Sequence, residues 1–339
     1  MKKYNIAIVG ASGNVGREIL DILGDREFSI GELYLLGSEK SQGSRIIFQG
    51  NEHKVDLLDN FDFKGVDIAF FSAGGDVSKK YCEIAEAAGA YVIDNTSYFR
   101  MQKDIALVVP QVNPEDIKKY SRKIIANPNC STIQMVIPLK LLHGDYKIKR
   151  VVVSTYQAVS GAGKDAMDEL YKQTKGVYEA TNTYSPKIFT KEIAFNCIPQ
   201  IDKFLPNGNT KEEQKMIDET KKIMGDDSIK VSATCVRVPV FNCHSESVNI
   251  EFEEDYEMED ILMLLKNSED VFVVDDISQN SYITPKEVSK TDEVYISRIR
   301  RDESVKSGLN MWIVADNLRK GAALNAVDIA DQLIEMGLV

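Results

Sequence analysis

The chain opens with a strand, a glycine-rich turn and a helix. Tyr4–Val9 is a short apolar run of the kind found in strands buried on both faces. Residues 10–16 contain three glycines, and apolar residues at helical spacing follow over residues 17–23. Such glycines permit a tight turn and let a pyrophosphate approach a helix N-terminus. The pattern therefore predicts a dinucleotide-binding unit at the start of the chain.

Further apolar runs predict a parallel sheet through the first third of the chain. They lie at residues 32–36, 66–71, 91–95, 106–110 and 123–126. Small residues follow the run at 66–71, which would let a cofactor lie across the edge of the sheet. These small residues are Ser72, Ala73 and Gly74.

The pattern then changes to strands in which apolar and polar residues alternate. This alternation is typical of a sheet with one covered face. Thr210 and Glu213 have capping-box spacing at the start of a predicted helix that runs to residue 224. The predicted strands are residues 149–159, 231–238, 246–252, 293–299 and 309–315, and the last helix opens within 316–325. We therefore expect two α/β domains.

Composition and charge narrow the function further. The 339 residues are 43% hydrophobic and 27% charged, which is typical of a globular protein. The net charge of −11 argues against a general nucleic-acid binder, which needs a basic face. No apolar run reaches the length that spans a membrane, and a strand follows the first residues too closely for a signal peptide. We expect a cytoplasmic protein that binds neither nucleic acid nor membrane.

The cysteines and histidines limit the possible chemistry. Five cysteines without a CxxC pair fit reduced thiols better than a disulfide framework, and the sequence contains no metal-ligand cluster. We therefore expect no metal site. Only three histidines are present, so few residues are available as a catalytic base.

Cys130 is the candidate nucleophile. Pro128 forces a turn after the strand at residues 123–126, and an apolar, helix-like run follows Cys130. Unpaired N–H groups and the dipole at a helix N-terminus stabilise a thiolate. The alternative is that Cys130 is a small buried apolar residue. His244 is the best partner for the thiol, although many single histidines have only a structural role.

The end of the second predicted strand bears on the choice of cofactor. An NAD site usually has an acidic residue there, whereas this chain has Gly37 and Ser38 with Lys40 close by. A cation and hydroxyl groups suit a 2′-phosphate, which favours NADP. Glu39 is the counter-argument, because its carboxylate could bind ribose hydroxyls, and the whole loop could simply be solvated.

Together these segments resemble the aspartate-semialdehyde dehydrogenases of the bacterial type over nearly the whole chain. The resemblance implies a glyceraldehyde-phosphate-dehydrogenase-like α/β fold, with a Rossmann NADP-binding domain at 1–129 plus 315–339. A catalytic and dimerisation domain would occupy 130–314. The matching motifs are GASGNVG at 10–16, FSAGG at 71–75, NTSYFRM at 95–101, NPNCST at 127–132, TYQAVSGAG at 155–163, RVPV at 237–240 and DNLRKGAALN at 316–325.

The resemblance also implies roles for individual residues. Cys130 would be the acyl-accepting nucleophile and His244 the general acid/base. Gln157 would orient the intermediate, Asn129 would help hold the reacting carbonyl, and Arg237 would bind the substrate α-carboxylate.

Further residues would contact the substrate, the phosphate and the cofactor. Glu212 would contact the substrate amino group, and Arg100 and Lys215 would bind phosphate. The family usually has arginine where Lys40 stands, so the charge is kept and the planar fork is lost. The implied cofactor-binding residues are Gly10, Ser12, Gly13, Asn14, Val15, Gly16, Lys40, Ser41, Ser72, Ala73, Gly74, Ser160, Gly161 and Asn317.

The implied reaction reduces L-4-aspartyl phosphate to L-aspartate 4-semialdehyde with NADPH, through a cysteine thioester. It belongs to the biosynthesis of lysine and diaminopimelate, methionine, threonine and isoleucine. The partners would be aspartate semialdehyde and inorganic phosphate, in a homodimer or a dimer of dimers. One alternative is another acyl-phosphate reductase of this fold, such as an N-acetylglutamyl-phosphate or glyceraldehyde-phosphate enzyme. A second is an inactive NADP-binding regulator.

Overall fold

The computed structural model describes residues 2–179 and 185–339, which divide into two compact units. The first unit combines the chain up to Asn129 with Ala322–Val339, and the second is Cys130–Gly321. Residues 315–321 therefore belong to the second unit, whereas the sequence had placed them in the first. The reason is that Asn317 in this segment bonds to Ser160 and to the backbone of Cys243.

Strands and helices alternate through most of the chain, as the hydrophobic pattern predicts. In order they are β1 (Tyr4–Val9), α1 (Asn14–Asp25), β2 (Ile30–Gly37), β3 (Arg45–Phe48), β4 (Asn51–Leu57), β5 (Ile68–Phe71), α2 (Gly75–Ala87), β6 (Tyr91–Asp94), β7 (Ala106–Leu107), α3 (Asp116–Lys119), β8 (Ile124–Ala126), α4 (Cys130–Tyr146), β9 (Ile148–Gln157), α5 (Lys164–Tyr178), α6 (Lys211–Met224), β10 (Lys230–Arg237), β11 (His244–Phe252), α7 (Met258–Lys266), β12 (Val271–Val273), β13 (Val294–Asp302), β14 (Gly308–Ala315) and α8 (Asn325–Glu335).

The first unit is built on one sheet with the order β3-β4-β2-β1-β5-β6-β8-β7. Its strands pair in parallel, apart from the antiparallel β3–β4 hairpin. β2 lies on one side of β1 and β5 on the other, so the strand order reverses at β1. In open sheets of this kind, ligands bind at the carboxyl ends of the strands beside such a reversal. The predicted Rossmann-type fold is confirmed.

The second unit is built on a mixed sheet with the order β10-β9-β11-β14-β13-β12. β9 pairs in parallel with β10 and antiparallel with β11. Helix α4 packs against β9, β11 and β14, and α6 packs against β10. On β9, Thr155 and Gln157 are buried beneath the helices, whereas Tyr156 between them is 39% exposed on the opposite face. This alternation places every second residue of the central strands on the helix-covered face.

The predicted capping box is confirmed at the start of α6. The Glu213 N–H donates to Thr210 Oγ1, and the Glu213 carboxylate accepts from the Thr210 N–H at 2.6 Å. α6 ends at Gly225 in the left-handed conformation. Among the helices of residues 2–179 and 185–339, none combines the length and apolar character needed to cross a bilayer.

Candidate active site

Cys130 is the first residue of α4 and is partly buried. The turn predicted between β8 and α4 is present, and the boundary between the two units falls directly before this residue. Gly321 packs against it within a π-helical turn, Arg319–Leu324. A Cβ at position 321 would lie 2.7 Å from Cys130 Cβ, so only glycine fits there without a shift. The thiol is thus at a helix N-terminus with its backbone held closely.

His244 begins β11 and has no exposed surface. Its Nδ1 accepts the Ala158 N–H at 3.0 Å, so a neutral imidazole carries its hydrogen on Nε2. Burial, and then the positive charge of Arg237, lower the pKa of His244 to about 3. Nε2 has no hydrogen-bond partner among the residues that the structure describes. His244 is therefore a neutral side chain whose Nε2–H can donate a hydrogen bond to a bound group.

Arg237 lies beside the same space as His244. Arg237 Nη1 donates to Ala158 O at 2.6 Å, and burial lowers the pKa of the guanidinium. A Cβ at Gly161 would lie 3.2 Å from His244 Nε2 and 3.3 Å from Arg237 Nη1. The missing side chain at Gly161 therefore leaves room for a small group that contacts both nitrogen atoms.

Gln157 stands next to Arg237 in the register of β9 and β10 and belongs to a hydrogen-bonded chain. Thr155 Oγ1 donates to Gln157 Oε1 at 3.0 Å, and Gln157 Nε2 donates to Glu212 Oε1 at 3.1 Å. Lys215 Nζ donates to the other Glu212 oxygen at 3.0 Å. The sequence did not single out Thr155, although strand periodicity places it on the same face as Gln157. The second unit thus contains Cys130 and five of the seven polar residues expected around it, whereas Asn129 and Arg100 belong to the first unit.

The loop before His244 is held by Asn317 and Ser160, two of the predicted cofactor residues. Asn317 Nδ2 donates to Ser160 Oγ at 2.9 Å, and Asn317 Oδ1 accepts from the Cys243 N–H at 2.9 Å. Cys243 has a left-handed backbone with φ +71°, which is costly for any residue except glycine. Both predicted residues are buried, and their bonds fix the chain immediately before His244.

The glycine turn of the first unit lies at the carboxyl ends of β1 and β5. Gly10 has φ +87°, and a Cβ there would lie 3.1 Å from Ala73. A Cβ at Gly16 would lie 2.3 Å from Gly10 O, so both positions require glycine. α1 begins at Asn14 without a side-chain cap, and Gly74 precedes α2 with φ +101°. The close packing and the uncapped helix fit the pyrophosphate of a dinucleotide.

The loop after β2 contains the predicted 2′-phosphate residues. Glu39 and Lys40 are exposed, and Ser41 Oγ donates to Ser38 O at 3.1 Å. A Cβ at Gly37 would lie 2.2 Å from Ser41 Oγ, so the absence of a side chain lets the loop fold back on the strand end. The geometry leaves both the acidic and the basic side chain available to a ribose.

Arg100 is buried in the first unit and binds two backbone carbonyl groups. Its Nε donates to Asn127 O and its Nη2 to Asn95 O, both at 2.9 Å. Asn127 also donates to Asn95 Oδ1 at 2.8 Å, and Asn129 nearby in sequence is buried. Arg100 thus fixes the segment that leads to α4, a role that the sequence did not suggest.

Known proteins resemble both units of the chain. The family model "Semialdehyde dehydrogenase, NAD binding domain" matches residues 5–120, and "Semialdehyde dehydrogenase, dimerisation domain" matches residues 139–320. An aspartate-semialdehyde dehydrogenase of Aquifex aeolicus is 52% identical over 99% of each chain. One of Rickettsia bellii is 49% identical over 98% of each. The crystal structure of aspartate semialdehyde dehydrogenase II complexed with ASA, from Vibrio cholerae, has 47% identity, 99% coverage of each chain and a TM-score of 0.96.

Proposed function

This chain belongs to the aspartate-semialdehyde dehydrogenase family, and we propose that it works through a thioester on Cys130 with NADP as its cofactor. The family activity makes it an oxidoreductase of amino-acid biosynthesis that interconverts L-4-aspartyl phosphate and L-aspartate 4-semialdehyde. The match of residues 5–120 to an NAD binding domain shows that the family binds a nicotinamide cofactor through this part of the chain. The observation that carries the proposal is a single thiol at a helix N-terminus in a unit that also buries a neutral histidine donor.

The proposed chemistry divides one difficult step into two. The Cys130 thiolate attacks the acyl carbon, a C–S bond forms, and the bond to phosphate breaks. A nicotinamide cofactor, when bound, would supply the hydride that reduces the thioester. Hydride addition leaves negative charge on the former carbonyl oxygen, and this oxyanion re-forms the C=O bond and expels the Cys130 thiolate, which releases the aldehyde. His244 holds an Nε2–H that can donate to the oxygen on which negative charge develops.

Substrate recognition follows from the charges in the second unit. Arg237 is the proposed ligand of the α-carboxylate, since a guanidinium can bind a carboxylate with two parallel hydrogen bonds. Glu212 would accept from the substrate amino group, and Lys215 would bind phosphate. Their direct contact at 3.0 Å keeps an acid and a base side by side, as a substrate with both signs of charge requires. Arg100 stays a predicted phosphate ligand of the first unit.

NADP rather than NAD is proposed from the loop after β2. Lys40 is exposed and can place a positive charge against a 2′-phosphate. Glu39 beside it would oppose that phosphate and favour ribose hydroxyls. The close packing of Ser41 on Gly37 supports a loop that folds back on the end of β2.

We further propose that the chain forms a homodimer through the open face of the second sheet. The matching family model carries the description "dimerisation domain". On that face Tyr156 packs against Trp312 with 5.3 Å between ring centroids, and Ser247 between their strands is exposed. Tyr282 is 50% exposed and lines the same hollow as Ser247 and Trp312. Aromatic residues around a small polar residue are typical of an interface core.

All five cysteines of the chain are free thiols in the described residues, and this supports a reducing, cytoplasmic compartment. Localisation of a fluorescent fusion in the source cell tests this proposal. A fusion found outside the cytoplasm would contradict it.

A substrate panel tests the proposed function. Purified enzyme is assayed with aspartate semialdehyde or N-acetylglutamate semialdehyde, with phosphate, and with NADP or NAD. We expect phosphate-dependent reduction of NADP with aspartate semialdehyde alone. Turnover of only the N-acetylated substrate would instead assign the chain to the other acyl-phosphate reductases. Binding of NADP without any turnover would support the regulator alternative.

A further inference from the structure

Glu246 is a buried acid that the proposed reaction leaves unused. It lies on β11 two residues after His244, on the helix-covered face, and has no exposed surface. Neither carboxyl oxygen makes a hydrogen bond of good geometry to any residue that the structure describes. An ionised carboxylate in such a place is very costly, so the group must be neutral or must be paired.

The surroundings of Glu246 connect the two reacting residues. Within the sheet it pairs with Thr155 on β9 and with Ile313 on β14. From α4, the side chains of Ser131 and Gln134 approach its carboxyl group. Gln134 Nε2 in turn donates to His244 O at 3.4 Å. Polar side chains in the first turns of α4 therefore reach both Glu246 and the residue that begins β11.

The groups that face Glu246 do not supply a compensating positive charge. Burial raises its pKa well above the ordinary value, and the polar groups that oppose this shift are Gln134 and Ser131. Among the described residues, the Cys235 thiol lies near Glu246 and its pKa is also raised by burial, and His244 two residues earlier on β11 is a neutral imidazole. Gln134 Oε1 is a buried acceptor without a partner among the described residues, and a protonated carboxyl group has a hydrogen to donate.

We propose that Glu246 is a positioning residue that, as a neutral acid, holds Gln134 and the start of α4 against the strand that begins at His244. Cys130 is the first residue of α4, and Gln134 lies four residues later on the same side of the helix. The Glu246–Gln134 contact thereby sets where the thiol stands relative to the imidazole. The inference rests on the proposed function of Cys130 and His244.

Two variants separate shape from protonation. Glu246→Gln keeps the shape and the neutral state, whereas Glu246→Leu removes hydrogen bonding. We expect Glu246→Gln to keep kcat within about threefold, and Glu246→Leu to lower kcat by about tenfold or more with KM little changed. Alkylation of Cys130 by iodoacetamide should slow in parallel with kcat. Glu251→Gln, at a half-buried position near the end of the same strand where the carboxylate pairs with Lys149, is the matched control and should change neither rate.

The pH dependence of the melting temperature tests the protonation state of Glu246, because a residue that acted only through apolar packing would not change it. A buried acid with a raised pKa lowers stability as pH rises above its ordinary value of 4.5, because only the unfolded chain then ionises. Glu246→Gln should therefore melt at a higher temperature than the parent near pH 8, and this difference should shrink near pH 5.

The outcomes that would overturn the proposal are distinct. Parental kcat in a folded Glu246→Leu variant would remove the positioning role. A Glu246→Gln variant that loses about tenfold in kcat would show that catalysis needs the ionised form. A Glu246→Gln variant that gains no stability near pH 8 would show that Glu246 is ionised in the folded protein. The pH-dependent melting of Glu246→Gln tests the neutral state even where Glu246→Leu does not fold. Full activity in Cys130→Ala would overturn the thioester mechanism, whatever the Glu246 variants do.

Discussion

At the scale of the residue, His244 shows how the fold sets a side chain's chemistry. Its Nδ1 is occupied by the Ala158 N–H and its Nε2 faces the space left by Gly161. The sequence could identify His244 as the best partner of the thiol, because only three histidines are present. It could not predict the tautomer, which depends on a backbone group 86 residues away in sequence, or the depressed pKa, which depends on burial and on Arg237.

Replacement of His244 tests its assigned role in catalysis. Asn in its place can still accept from the Ala158 N–H but lacks the Nε2–H donor. We expect His244→Asn to lower kcat by about 10²–10⁴, the usual range for a lost general acid or base. Steady-state kinetics checks this, and a change confined to KM would contradict the role.

The same variant should change how stability depends on pH. The folded-state pKa of about 3 lies below the ordinary 6.5, so this stabilising contribution is complete above 6.5 and declines as pH falls toward 3. Between about pH 7.5 and 5, the parent should lose on the order of 1–2 kcal/mol more unfolding free energy than His244→Asn. Urea titrations at both pH values provide the measurement. Equal losses would mean that His244 is charged in the folded protein.

Lys40 provides the residue-scale test of cofactor choice. Lys40→Ala should raise KM for NADP by about tenfold and leave KM for NAD nearly unchanged, because only NADP carries the 2′-phosphate. Glu39→Gln is the neighbouring control and should not raise KM for NADP. Equal changes for both cofactors in Lys40→Ala would show that the phosphate is bound elsewhere.

At the scale of the element, a feature could be predicted when the residues that determine it lie close together in the sequence. The capping box of α6 and the turn before Cys130 follow from residues close together in the sequence, and both are present. The predicted last helix instead begins with a π-helical turn, Arg319–Leu324. This turn and the left-handed Cys243 depend on contacts with distant segments, so no local pattern marked them.

Gly321 tests whether the π-helical turn holds the thiol in place. In Gly321→Ala the new Cβ would meet Cys130 Cβ at 2.7 Å, and the start of α4 must shift. We expect kcat to fall by at least about tenfold and stability to fall by about 1–3 kcal/mol, the usual cost of overpacking.

The control for that variant lies in the same helix as Cys130. Gly144→Ala introduces a Cβ with nothing within 4 Å, at an exposed helical position. It should keep activity and gain up to about 1 kcal/mol of stability. Parental kinetics in Gly321→Ala would show that the close packing against Cys130 has no catalytic consequence.

At the scale of the whole molecule, the sequence predicted the α/β class and which of the two domains most strands and helices belong to. The sequence could not show which residues lie side by side on neighbouring strands of the second sheet, because this depends on the pairing of strands far apart in the chain. Register places Arg237 beside Gln157, and Cys235 beside Thr155, which in turn pairs with Glu246. The sequence alone therefore could not show that Glu246 lies beside Thr155 in the second unit.

The proposed dimer is tested on the open face of that sheet. Ser247→Arg should give a monomer, because a charge placed between the aromatic residues cannot be desolvated there. Sedimentation velocity measures the change. Ile47→Arg, at an exposed apolar position on β3 in the other unit, is the matched control and should leave the assembly intact. An unchanged sedimentation coefficient for Ser247→Arg would place the interface elsewhere.

The central claim is that catalysis passes through a thioester on Cys130. The most direct measurement mixes the enzyme with aspartate semialdehyde and NADP in the absence of phosphate and follows rapid NADPH formation. Each chain should release about one equivalent of NADPH in a burst, and mass spectrometry should then find the acyl group on Cys130. Cys130→Ala should bind NADP but give neither signal. Turnover by Cys130→Ala, or a burst without acylation of Cys130, would contradict the account.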